Sequence, residues 1–153
     1  MDVRSGFRLA ILLGIDALVC AILTLAGVVY MASRIIPAVT YASPAPYESS
    51  LAEVAMLLLP FAAPTVSAFV LLYAHKRVRL GLFDFVSACL VLMLSVVFGV
   101  VLALAMQFGP MTETVVAAYM LSLLGLTIVT CMALSFAAIS CVRVTSREAM
   151  STA

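Results

Sequence analysis

Asp16 is a carboxylate set in oil. The stretch LAILLGIDALVCAILTL, Leu9 to Leu25, is otherwise almost wholly apolar. A charged Asp at the centre of a bilayer costs about 2.5–3.5 kcal/mol on insertion scales, and less toward the interface. Three chemistries are open to such a group. Protonated, or hydrogen-bonded to Ser or Thr on another helix, it holds helices together. Near a membrane surface it pairs with a basic group such as Arg8, Lys76 or His75. In a transport cycle it carries protons. Asp84 lies close to the start of the third apolar run, with Arg77 and Arg79 nearby in sequence, and an interfacial ion pair is its expected role. At 1.5 Å per residue, Asp16 is roughly 10 Å past Leu9 and Asp84 about 6 Å past Leu80. Glu53 and Glu113 each open an apolar run, where a negative charge suits the positive end of a helix dipole.

Other chemistry is missing. His75 is the single histidine, and one His without a cluster makes no metal site. No Ser-His-Asp or Cys-His set falls at a common depth. No glycine-rich phosphate loop is present. The expectation is a non-enzymatic chain with no cofactor. Of the four cysteines, Cys20, Cys89 and Cys131 lie inside apolar runs, where they act as small packing residues. Cys141 falls at the end of a run, just before Arg143, and is the candidate for palmitoylation.

The elements that must position these groups follow from composition. The chain has 153 residues, of which 66% are hydrophobic and 10% charged. Its mean hydropathy is +1.29. Soluble domains are about half apolar and a quarter charged, so lipid is the solvent for most of this chain. The net charge of +1 offers no basic domain for nucleic acid. Four runs are long enough to cross a hydrocarbon core, which needs about 20 residues of helix: about 7–32, 51–74, 80–106 and 115–142. Runs this long are helices, because a lipid-embedded backbone must bond within itself. The first is too long for the apolar core of a signal peptide and is expected to be a retained helix. The sequence thus predicts one all-α domain over 1–153, a four-helix transmembrane bundle. RIIPAVTYASPAPYESS forms the first loop, HKRVR the middle connection and QFGPMTE the last loop, with a short polar tail at 143–153.

Basic residues orient the bundle. Arg4 and Arg8 precede the first run, Lys76, Arg77 and Arg79 fall in the middle connection, and Arg143 and Arg147 follow the last run. Only Arg34 lies on the other side. Both termini and the middle connection are expected in the cytosol. Lys76, Arg77 and Arg79 would also touch anionic lipid heads, each worth about 1 kcal/mol near the surface. The larger outer loop has about seventeen residues, too few for a folded ectodomain.

Small residues let membrane helices approach closely. Ala10, Gly14, Ala17 and Ala21 make one stripe, Ser95, Gly99 and Ala103 a second, and Ala118, Ser122 and Gly125 a third. Each is expected to mark a packed face, either within the bundle or, above all for Ser95-Gly99-Ala103, against another copy. Pro60 and Pro64 sit one turn apart, where each removes a backbone hydrogen bond and bends the helix.

Several segments resemble the MARVEL-domain tetraspan family, in its fungal form. LGLFDFVSACLVLMLSVVFGVVLALA, Leu80 to Ala105, is similar to that family's third helix, with Asp84 at the acidic opening and GVVLALA at the small-residue end. VVAAYML resembles the start of its fourth helix, and VRSGFRLAILL its basic lead into the first. The resemblance implies a non-enzymatic role in membrane microdomains or vesicle traffic, with sterol-rich lipid, other copies or other membrane proteins as partners, at the plasma membrane or an endomembrane. The alternatives are a small proton-coupled transporter or channel-like protein using Asp16, and an accessory subunit of a larger membrane complex.

Overall fold

The computed structural model describes residues 3–41, 50–78, 81–108 and 112–151. Among them the chain is helical except at Ser50, Gly81 and Thr112. The elements are α1 (Val3–Tyr30), a π turn (Met31–Ile35), α2 (Ile36–Tyr41), α3 (Leu51–Val78), α4 (Leu82–Phe108) and α5 (Glu113–Ser151). Four segments are long and apolar enough to cross a bilayer: Gly6–Thr40, Leu51–Val78, Leu82–Phe108 and Glu113–Ser146. The protein is an all-α bundle of membrane-spanning helices.

Sequential helices run antiparallel. From Gly6 to Thr24 along α1, the facing residue on α5 falls from Thr145 to Thr127. From Thr65 to His75 along α3, the facing residue on α4 falls from Ser95 to Phe85. Phe83 on α4 meets Phe136 on α5. Gly27 on α1 meets Pro60 on α3. Tyr119 crosses the diagonal from α5 to α3. The start of α1, the end of α5 and the α3–α4 connection therefore lie at one end of the bundle.

The buried side chains fall into two apolar clusters. One, toward the end that holds the start of α1, contains Leu13, Leu71, Val91, Leu134 and Cys141. The other contains Met31, Ile35, Leu57, Phe61, Leu102, Tyr119 and Leu126. Between them lie the buried polar residues Thr24, Ser67, Ser95, Thr127 and Thr130. Aliphatic side chains cover the outside, among them Ile11, Ile15, Leu18 and Ile22 on α1.

The helices outrun the expected bounds, for identifiable reasons. Pro37 does not open the first loop. It lies inside a helical segment that continues from Gly6 to Thr40. The π turn before it widens the coil, with Ile36 N–H donating to the Met31 carbonyl. His75, Lys76 and Arg77 are not a connection but the last turn of α3, where cations favour the helix dipole. The tail at 143–153 is not separate either. The helix continues through Val144 to Ser151, because Thr145 is buried against Gly6 and donates back to the Cys141 and Val142 carbonyls at 2.9 Å. α3 runs unbroken through Pro60 and Pro64, both turned inward. Its start is a reciprocal capping box. Ser50 N–H donates to Glu53 Oε2 at 2.8 Å, and Glu53 N–H to Ser50 Oγ at 3.3 Å. Arg79, Pro44, Pro46, Gly109-Pro110 and the side chains of Arg4 and Arg147 lie outside the described residues.

Candidate functional site

The polar layer between the two apolar clusters gathers chemistry-bearing side chains from three helices. α1 supplies Asp16, Cys20 and Thr24 at successive four-residue steps, which is one face of a helix. α5 supplies Thr127 and Cys131 at the same spacing, and α3 supplies Ser67.

Thr24 and Thr127 join α1 to α5, with their hydroxyl oxygens 2.6 Å apart. Thr24 also reaches its own helix at the Cys20 carbonyl, 2.9 Å away, and Thr127 at the Leu123 carbonyl, 2.8 Å away. One turn deeper, Cys131 Sγ donates to the Ala17 carbonyl at 3.7 Å. The Cys20 and Cys131 thiols face each other across the seam, and the Asp16 carboxylate acts on both. Ser67 faces Asp16 from α3. Asp16 Oδ2 and Ser67 Oγ are both buried, and neither completes a hydrogen bond.

A second seam is simpler. Thr65 on α3 donates to Ser95 Oγ on α4 at 3.0 Å, and Ser95 donates to the Leu92 carbonyl at 3.0 Å. Beside them an open groove of about 360 Å³ is lined by Leu58, Phe61, Gly99, Val100 and Ala103. The Ser95-Gly99-Ala103 stripe therefore belongs to the α3–α4 seam and its outer flank.

The other two stripes do not pack within the bundle. Ala10 and Ala17 are half-buried, but Gly14 and Ala21 are exposed, and nothing lies within 4 Å of a Cβ built at Gly14. On α5, Ala118 and Gly125 face outward, and Gly125 is equally open. The face of α1 that packs is Gly6, Leu9, Leu13, Cys20, Thr24 and Gly27, about a quarter turn round the helix. Gly27, missed in sequence, stands where three helices meet. A Cβ there would stand 2.7 Å from Pro60 Cγ and 3.0 Å from Tyr119 Oη. Tyr119 in turn donates to the Leu57 carbonyl at 2.9 Å and meets Phe61 edge-on, with ring centroids 5.6 Å apart. Three helices thus lock around one missing side chain.

At the end of the bundle, Asp84 is buried in the first turn of α4 and acts on Cys141. Of the two arginines expected to pair with it, Arg79 lies outside the described residues and Arg77 is engaged elsewhere. Arg77 Nε donates to Tyr73 Oη at 3.1 Å, with the guanidinium 5.4 Å from the centre of that ring. An interfacial Tyr thus holds the cation at the helix end. Lys76 is exposed. His75 lies against Phe85, with ring centroids 5.3 Å apart, and its buried Nδ1 has no partner. Cys141, expected at a helix end, sits well inside α5 and is fully buried. An acyl chain on its sulfur would have to displace the core around it. No group of three or more His, Cys, Asp or Glu among the described residues could hold a metal ion.

Comparison with protein-family models, with curated proteins and with solved structures gives no match.

Proposed function

We propose that this chain is a non-enzymatic, multi-pass organiser of its membrane, acting through lateral helix–helix and helix–lipid contact, as its resemblance to MARVEL-type tetraspans implies. The observation that carries this reading is the division between inside and outside. The hydroxyls of the polar layer bond helix to helix, while the outer faces of α1 and α5 present apolar side chains around the uncovered Gly14 and Gly125. Such small residues admit the backbone of a neighbouring helix, from a second copy or another membrane protein. The exposed Arg8, Lys76, Arg77 and Arg143 gather at one end. That end is assigned to the cytosol, where they meet anionic lipid heads, at the plasma membrane or an endomembrane. Imaging of a tagged copy at native expression tests the proposal. Stable patches are expected, dissolved by Gly14→Leu with Gly125→Leu but kept in Asp16→Asn. An even distribution of the wild type would sink it.

One observation favours a second reading. The unpartnered Asp16 Oδ2 and Ser67 Oγ lie deep in the bundle, as a proton-coupled transporter requires. That reading expects solute flux lost in Asp16→Asn while patches, if any, persist.

A further inference from the structure

The polar layer accounts for nearly all its own groups. Thr24 and Thr127 bond to each other and to their own helices. Thr130 donates to the Leu126 carbonyl. Cys131 donates to the Ala17 carbonyl. Two atoms are left over, Asp16 Oδ2 and Ser67 Oγ, on helices that pack together and facing each other. Ser67 is fully buried.

We propose that Asp16 and Ser67 form a proton-binding site within the membrane, in which Asp16 Oδ2 carries the proton and donates it to Ser67 Oγ. The geometry selects this ligand. A metal cation would need several more oxygen ligands than one carboxylate and one hydroxyl. A basic side chain would neutralise the carboxylate, but none among the described residues faces it. The titratable groups that do are Cys20 on its own helix and Cys131 on α5. α3 offers only the Ser67 hydroxyl, and the acid of α4, Asp84, lies beside Cys141 instead. One proton removes the net charge from the lipid-embedded layer and gives each of the two leftover oxygens a hydrogen-bond partner. The site stands on this pairing alone, and needs neither transport nor lateral assembly.

The test is infrared spectroscopy of the full chain in liposomes at neutral pH, with aspartate labelled at its side-chain carboxyl carbon. The expected result is a protonated-carboxyl carbonyl band that disappears in Asp16→Asn and persists in Asp84→Asn. Ser67→Ala should move that band to higher frequency, because the acid loses its acceptor. If Asp16→Asn does not fold, the Ser67→Ala shift and the Asp84→Asn control still decide. Carboxylate bands alone at neutral pH would overturn the proposal. So would a band that Ser67→Ala leaves in place.

Discussion

Thr24 and Thr127 make three contacts with two hydrogens. Each hydroxyl lies within bonding distance of a carbonyl on its own helix, and the two are 2.6 Å from each other. At any moment one donates across the α1–α5 seam and the other donates to its own backbone. Removing either hydroxyl leaves its partner a carbonyl to return to, so no buried donor is orphaned. Thr24→Val and Thr127→Val should each cost about 0.6 kcal/mol, the average for such bonds between membrane helices. The double variant should cost little more than either single one. Reversible unfolding in mixed micelles measures this, and fully additive losses would show that the two hydroxyls are independent.

Glycines that look alike in sequence should behave differently. Gly27→Ala pushes a methyl into Pro60 and Tyr119, an overpacking that costs about 1–3 kcal/mol. Gly14→Ala and Gly125→Ala meet open space and should be neutral or stabilise by up to about 1 kcal/mol through helix propensity. Thermal unfolding in one detergent ranks all three. Equal losses would mean that α1 packs on a different face.

Tyr119→Phe keeps the edge contact with Phe61 but gives up the bond to the Leu57 carbonyl. The loss should be about 0.5–1.5 kcal/mol. Tyr119→Ala also opens a cavity in the core and should cost about 3–5 kcal/mol. The same unfolding assay separates them, and a harmless Tyr119→Ala would contradict the three-helix junction.

Sidedness has its own check. Lys76 and Thr112 are exposed at opposite ends of the bundle. A membrane-impermeant maleimide on intact cells should label Thr112→Cys, and should label Lys76→Cys only after permeabilisation. The reverse pattern would invert the orientation read from the basic residues.

Hydropathy alone made the four spans legible, and the basic residues grouped the ends that the structure brings together. Helix ends were harder. Lys76 and Arg77 look like a loop by charge, yet a helix end tolerates them and its dipole favours them. Pro37 looks like a stop, yet a π turn makes room for it. The capping box was readable in Ser50-Leu51-Ala52-Glu53 and went unread. The packed faces were the least legible, because a lipid-embedded helix is apolar all round. Gly14 and Gly27 differ only in what stands opposite them. A signal did exist for the α1–α5 seam. Asp16, Cys20 and Thr24 repeat every four residues, as Thr127 and Cys131 do, and polar groups on one stripe of a membrane helix turn away from lipid.

The pairing of α1 with α5 has a consequence for biogenesis. The helix made early meets this partner only after α5 has been synthesised. Until then Cys20 and Thr24, whose partners Cys131 and Thr127 lie on α5, face acyl chains or a chaperone of the insertion machinery. Closure therefore depends on long-range contacts, which are slow to form. A chain stalled before α5 displays a polar stripe in the bilayer, and that stripe is a mark by which membrane quality control can tell an unfinished molecule from a closed one.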